Sequence, residues 1–407
     1  MADHAATSDE LRATMGAVDA DLPQVWVFQP AVKHYRLPVW DLIAEQAARR
    51  YQLTVFGPLE IDHADIEQRH YLQAMPLHKR LFMGREVTHW RGAAKMVRQS
   101  RPDVVVVTAS VAFLGSWTLP RVARRIGAAV VGWSKVNNRA GHTSWVERRL
   151  KRRFFRRFDL FLCYGECSRS ELRELGYPES RIRIAQNTID TRRIFDEREI
   201  IAARGEQLRQ EQGLTGKKVL LCIGRMAPQK RQADLITAWH DLRNLDPDLV
   251  LVLVGRGELY EGLLQAADET DPDRIVFTGA VPEGDDYAWI AASDLVVIPG
   301  AVGLALNQSL AFGRPTIIAD EPGADAELLR HGENGWRYPR GDIQALVAAV
   351  RHALLNPAEA ARVGAAAVAA VQDKATIERM VETMDRTFME AIHLSKKRRH
   401  KAKHRGA

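Results

Sequence analysis

"VLLCIGRMAPQKRQADLITAWHDL", residues 219–242, is the stretch whose reading decides the fold. Its first five residues are apolar without a break, the mark of a strand buried on both faces rather than one with a wet side. Gly224 ends the run, a loop follows with Arg225 and Lys230, and Ala233, Leu235, Ile236 and Trp239 then recur at helical spacing. Strand, glycine, loop and helix in that order make half of a βαβ unit. Two cations beside a helix N-terminus suit a diphosphate, because backbone N–H groups and fixed charge act together there. A solvated loop carries the same residues, so this stretch alone leaves both readings open.

Working outward, the same kind of run recurs. "QVWVF" (24–28), "LTVFG" (53–57), "DVVVVT" (103–108), "AAVVGW" (128–133) and "DLFLCY" (159–164) form one series, and "KVLLCIG" (218–224), "LVLVLVG" (249–255), "RIVFTG" (274–279), "DLVVIP" (294–299) and "PTIIAD" (315–320) a second. The two series predict two tandem doubly wound α/β domains of Rossmann-like type, with ligands bound in a cleft at the C-terminal ends of both sheets. The polar turn "NTIDTRRIFDEREI" (187–200) marks the break between them. The expected organisation is a flexible tail over residues 1–22, a first domain over 23–192, a second with its closing helices over 193–393, and a basic tail over 394–407.

Length and composition fit this reading. A chain of 407 residues, 46% hydrophobic and 27% charged, is long enough for two to three globular domains. No apolar run reaches the roughly 20 residues that span a bilayer, and the N-terminus lacks the basic start and apolar core of a secretory signal. Cys163, Cys167 and Cys222 are too few for a disulfide framework and read as thiols in a reducing compartment, so the cytoplasm is the expected location. The formal net charge of +7 is matched by the seven cations within residues 395–407, so the body gives no case for nucleic acid. That tail reads equally as an inert end or an anchor on anionic lipid, with nucleic acid ranked below both.

Three more loops of the second series follow strands. "LVGRGELYEGL" places Gly255 and Gly257 without the full dinucleotide fingerprint. "FTGAVPEGD" offers backbone groups around Gly279. "PGAVGLALNQSLAFGRP" (299–315) brings Gly300, Val302 and Gly303 to the start of a helix, with Gln308 a little over one turn inside, and has no charge before Arg314. In this order, "GRMAPQK", "GRGE", "RIVFTGAV", "YAWIAASDLVVIPG", "VGLALNQSLAFGRPTII" and "PGADAELLRHGENGW" resemble the nucleotide-sugar-binding domain of GT-B glycosyltransferases, especially glycosyltransferase family 4. The resemblance covers Lys217 to about Val350. The first half joins it only through "YGECSRSELRELGYPESRIRIAQNTID".

The resemblance implies that residues 23–192 form the acceptor side and residues 193–393 the donor side. It implies that Arg225 and Lys230 bind the donor diphosphate, with Gly224, Gly255, Gly279, Gly300, Val302, Gly303 and Gln308 around the donor. Family members commonly carry two glutamates eight positions apart, and the alignment puts Gly300 and Gln308 there, so both acids are replaced. The ligand then brings the negative charge, Arg225 and Lys230 answer it, and the 299–315 turn adds the N–H groups of Ala301, Val302 and Gly303 and the Gln308 amide. Glu327 matches a family glutamate, with a helix-stabilising role as its alternative.

On the acceptor side, "FQPAVKHYRLPVW" crowds Lys33, His34 and Arg36 into one loop before a helix near Pro38, facing either an anionic ligand or solvent. "WSKVNNRAGHTSW" sets Asn137 and His142 after a strand, and His142 is the candidate for proton transfer near the reacting sugar. "RRLKRRFFRRF" (148–158) carries seven cations, and Leu150, Phe154 and Phe158 fall four apart on one helical face. That stripe is expected to pack on the sheet, while the cations of Arg148–Arg157 suit an anionic membrane surface. The reading is a transferase of a sugar from a nucleoside-diphosphate donor to a glycan or lipid-linked acceptor, with retention at the anomeric carbon, no metal and no cofactor beyond the nucleotide-sugar substrate. The rivals are a non-catalytic binding protein of the same fold and a nucleotide-sugar epimerase.

Overall fold

The computed structural model describes residues 22–82, 85–136, 144–282, 284–321, 323 and 326–405. The chain divides into two compact units, Met1–Ala185 with Glu378–Ala407, and Gln186–Ile377.

In the first unit a parallel sheet uses β1 (Gln24–Phe28), β2 (Gln52–Gly57), β3 (Leu72–Ala74), β4 (Val104–Thr108), β5 (Ala129–Ser134), β6 (Leu160–Cys163) and β7 (Ile182–Ile184) in the order β7-β6-β5-β4-β1-β2-β3. In the second unit β8 (Lys218–Ile223), β9 (Leu249–Val254), β10 (Ile275–Gly279), β11 (Leu295–Ile298), β12 (Thr316–Ala319) and β13 (Trp336–Tyr338) run parallel in the order β10-β9-β8-β11-β12-β13. Strand order reverses between β1 and β4 in one sheet and between β8 and β11 in the other. Those switch points are where open α/β sheets bind ligands, beyond the carboxyl ends of the strands.

The two-sided burial inferred from the apolar runs is visible in the packing. Val219 and Leu221 join Val250, Val252 and Val254 in one core cluster, while Leu220 and Cys222 join Leu249, Leu251 and Leu253 in another. The helices used below are α1 (Leu37–Ala47), α2 (Leu114–Arg125), α3 (Trp145–Phe155), α4 (Glu166–Glu174), α5 (Arg198–Glu211), α6 (Ala233–Leu242), α7 (Asp285–Ala292), α8 (Leu304–Ala311) and α9 (Ile377–Arg405). A hairpin, Leu77–Phe82 with Arg85–Trp90, was not foreseen, because its strands lack an apolar alternation.

The expected boundaries need correction at the C-terminus. The sequence places every closing helix through residue 393 in the second domain and sets residues 394–407 apart as a tail. In the structure α9 from Glu378 onward belongs to the first unit and runs on through the basic residues to Arg405. Its partners explain why. The Phe388 ring meets Tyr51 edge-on at 6.3 Å, the Tyr51 hydroxyl donates to Asp385 at 2.8 Å, and Arg183 pairs with Glu390 at 2.8 Å. Further along, Arg398 donates to Asp159 through both terminal nitrogens at 2.7 and 2.6 Å, Arg124 of α2 adds a third bond at 2.6 Å, and Arg399 pairs with Asp103 at 2.7 Å. Asp159 is buried, which pushes its carboxyl up, yet these guanidiniums and the Val130 N–H hold it below the usual carboxylate range. Two cations of the supposed tail are therefore internal ion-pair partners. The expected 1–22 tail, apart from residue 22, lies outside the described residues.

Candidate functional site

Beyond β8 and β11 two loops are locked together. After β8 the chain passes Gly224 and Arg225 into a 3₁₀ turn, Pro228–Lys230, ahead of α6. After β11 it passes Pro299 to Gly303, the residue capping α8. The Ala301 N–H donates to the Gln229 carbonyl at 2.7 Å, and the Lys230 ammonium donates to the Ala301 carbonyl at 2.6 Å. This approach requires a glycine at 300, since a Cβ there would lie 2.4 Å from the Gln229 carbonyl oxygen and 2.7 Å from the Lys230 carbonyl carbon. Gly303 sits with the Lys230 ammonium 3.4 Å from where its Cβ would be. The Ala301 N–H expected to meet a ligand is thus turned to Gln229 instead, which corrects that part of the reading.

Arg225 is exposed, and its carbonyl is held by the buried Gln232 amide at 3.1 Å. Sequence reasoning missed Gln232, which reads as an ordinary helix-start polar residue. Gly224 and Gly255 continue the sheet ladder, donating to Val254 and Gly279 at 2.9 and 2.8 Å, and both have positive φ. Beside Gly279 the Arg256 guanidinium stands over the Tyr260 ring at 4.4 Å.

Gln308, in the second turn of α8, donates to Asp286 Oδ2 at 2.6 Å. It also bonds Tyr287, whose phenol burial pushes up to about 12. Val302 lies partly exposed between Ala301 and Gly303, and Glu327 is half-buried in the 3₁₀ turn Ala326–Leu328. The structure therefore gathers Gly224, Arg225, Lys230, Gly300, Val302 and Gly303 at one switch point, with Gly255, Gly279 and Gln308 on loops and helices of the same sheet edge.

The acceptor-side residues fare differently. Asn137 and His142 lie outside the described residues. Lys33 pairs with Glu60 at 3.1 Å on a small strand pair. His34 opens the 3₁₀ turn His34–Arg36, its ring edge-on to Tyr35 at 5.7 Å. Arg36 is buried, with its guanidinium 5.5 and 5.7 Å from the Tyr35 and Trp133 rings and a terminal nitrogen on the Met380 sulfur. It packs inside the first unit rather than presenting an open loop face.

A cavity of about 510 Å³ opens instead at the first unit's own switch point. Thr108 and Ser110 after β4, Ser134 and Lys135 around the end of β5, and Arg148 and Lys151 of α3 line it. No local motif announces it, because its polar groups come from three separated segments.

Helix α3 also departs from the expected stripe. Phe154 and Phe155 are both buried, so the inward direction bisects them, and at about 100° per residue Leu150 lies a quarter turn away. Leu150 is 45% exposed, with Val146 at 55% and Trp145 at 75%. They share the outer face with exposed Arg149, Arg152 and Arg153. Three cations of the segment are engaged elsewhere: Arg148 on the Glu174 carbonyl at 3.0 Å, Lys151 on Glu147 at 2.8 Å, and Arg157 over the Trp117 ring at 5.0 Å. No helix among the described residues is long and apolar enough to cross a membrane. No cluster of three His, Cys, Asp or Glu among them is placed to hold a metal ion.

Comparison with known proteins agrees with both sheets. Residues 39–193 match the model described as Glycosyltransferase Family 4, and residues 205–369 the one described as Glycosyl transferases group 1. The GDP-mannose-dependent alpha-(1-6)-phosphatidylinositol monomannoside mannosyltransferase of Mycolicibacterium smegmatis is 28% identical over 273 residues, 63% of this chain and 68% of that protein. The lipopolysaccharide core biosynthesis mannosyltransferase LpcC of Rhizobium leguminosarum is 29% identical over 176 residues, 41% of this chain and 49% of its own length. Among solved structures, Anabaena HepE in complex with UDP superposes with a TM-score of 0.70 at 18% identity, covering 91% of this chain and all of that one. With two doubly wound parallel sheets and successive family matches over both, the chain belongs to the group 1, family 4-like glycosyltransferases of the GT-B fold.

Proposed function

We propose that this glycosyltransferase takes its sugar from a nucleoside-diphosphate donor held by the second unit and passes it, with retention at the anomeric carbon, to a lipid-linked or glycan acceptor. The observation that carries the donor reading is the pair of interlocked loops at the β8/β11 switch point. They bring a lysine ammonium, an exposed arginine and the N-terminus of α8 to one place. A diphosphate is the ligand that such a combination of fixed charge and N–H groups favours. As the sugar–phosphate bond lengthens, negative charge grows on the departing diphosphate, and Arg225 and Lys230 stabilise it where it develops. Replacing Lys230 by Ala is expected to abolish transfer with the circular dichroism spectrum unchanged; undiminished turnover refutes the assignment. GDP-mannose and UDP-sugars are the donors to assay first, given the GDP-mannose-dependent relative and the UDP-bound structure described above.

The acceptor reading rests on α3 and the cavity beside it. Trp145, Val146 and Leu150 among arginines make a face suited to the headgroup region of an anionic bilayer, and Arg148 and Lys151 of the same helix line the cavity. The enzyme accordingly works as a peripheral protein on the membrane face where nucleotide-sugars are available, taking a lipid whose polar head enters that cavity.

A further inference from the structure

We propose that Asp286 is the residue that recognises the ribose of the donor nucleotide, with Gln308 as the residue that positions it. The inference rests on the donor site proposed above and names how its nucleoside part is read.

A ribose presents two adjacent hydroxyls, and a carboxylate is the side chain best matched to them, because its two oxygens accept both hydrogens and charge strengthens each bond. At the β8/β11 switch point the interlocked loops offer cations and N–H groups for phosphate but no acid of their own. Asp234, at the start of α6, is taken up by the Arg231 guanidinium at 2.7 and 3.0 Å, whereas Asp286 is reached along α8 through Gln308. Gln308 lies five residues past Gly303, which is about 7 Å along the helix axis from the phosphate-facing end. Ribose is the next group along a nucleotide from its diphosphate, so a group at this remove from the loops meets the sugar rather than the phosphates.

The two neighbouring acids at the start of α7 have different surroundings. Asp285 receives two bonds from Arg204 at 3.1 and 3.0 Å, which tie α7 to α5. Asp286 pairs with no cation among the described residues; it receives the neutral Gln308 amide on one oxygen, at 2.6 Å. An amide orients a carboxylate without cancelling its charge, whereas an arginine there would neutralise the acceptor. Gln308 is itself fixed by its second contact with Tyr287, over whose ring Arg193 stands at 5.5 Å. Asp286 and Tyr287 are both partly exposed. The N-terminus of α7 favours negative charge at Asp286.

The test is calorimetric titration with GDP, UDP and the 2′,3′-dideoxy form of each. The native protein is expected to bind the ribose form of its nucleotide roughly tenfold or more tighter than the dideoxy form, the value of a charge-assisted pair of bonds. Asp286→Asn should lower that ratio to within about twofold, and Asp286→Ser, which keeps a residue favoured at helix starts, should do the same. Asp286→Asn combined with Gln308→Glu moves the carboxylate across the same pair and should restore the preference. An unchanged ratio in both single variants overturns the proposal. So does a native protein that binds ribose and dideoxy forms equally, which leaves the donor site standing. A native protein that binds neither nucleotide overturns the donor site and this inference together.

Discussion

Replacing Gly300 by Ala tests the proposed donor site where its two loops approach closely. A methyl group there would begin 2.4 Å from the Gln229 carbonyl oxygen and 2.7 Å from the carbonyl carbon and oxygen of Lys230. All three are backbone atoms, so no side-chain rotation relieves the contact. Reaching an ordinary separation of about 3.5 Å requires the 228–230 turn and the 299–303 loop to part by roughly 1 Å. That movement breaks the Ala301 to Gln229 bond, now 2.7 Å, and stretches the Lys230 to Ala301 bond, now 2.6 Å. Overpacking costs about 1–3 kcal/mol and the lost backbone bond about 1 more, giving a loss of about 2–4 kcal/mol in the second unit. A displacement of this size in a positioning group lowers turnover about a hundredfold. Differential scanning calorimetry reads the first effect, and transfer from the nucleotide-sugar reads the second. Gly300→Glu, which the family resemblance alone would regard as restoring a missing acid, is expected to be worse than Gly300→Ala because it is larger. Native-like unfolding and turnover in Gly300→Ala would refute the close-approach argument.

Asp159→Asn strands the two guanidiniums of Arg398 and Arg124 beside a buried amide. Because those guanidiniums are partly wet, the expected loss is about 3 kcal/mol, the lower end for a broken buried pair, read from chemical denaturation. The Asp159 carboxyl is held below its unfolded range, so its stabilisation is complete at neutral pH and is lost as pH falls below about 4 and through the folded value; Asp159→Asn should lack that component of acid sensitivity. Joint replacement of Trp145 and Leu150 by Ser should weaken sedimentation with phosphatidylglycerol vesicles at least tenfold and leave binding of free nucleoside diphosphate unaltered. Equal sedimentation of variant and native protein would remove α3 from the membrane account.

The ten strands announced by apolar runs are all present, because a strand of a helix-covered parallel sheet leaves a continuous apolar signature in local sequence, even at the half-buried edge strand Ile275–Gly279. Leu72–Ala74, Ile182–Ile184 and Trp336–Tyr338 escape notice because three residues are too few to show a pattern. The position of Arg225 and Lys230 in the loop beyond β8 was legible for a similar reason, since that loop directly follows an unbroken apolar run. What Gly300 does was not legible: its absent side chain looked like a lost acid, whereas the fold uses it for a backbone contact with a loop some seventy positions earlier. Leu150 illustrates a subtler failure. Spacing of four put it with Phe154, but the adjacent Phe155 turns the inward face away from it. The Ser110, Lys135 and Lys151 cavity and the Asp286–Gln308 pair share one obstacle, since each joins segments that only the tertiary fold brings side by side.

The return of α9 to the first unit has a consequence for biosynthesis. Residues 186–377 leave the ribosome as one uninterrupted segment, while the unit encoded first still lacks Asp385, Glu390, Arg398 and Arg399, the partners of Tyr51, Arg183, Asp159 and Asp103. The usual N-to-C order of domain completion is therefore inverted. During translation the second unit is complete before the first, in which Asp159 and Asp103 wait for Arg398 and Arg399 until that part of α9 is made.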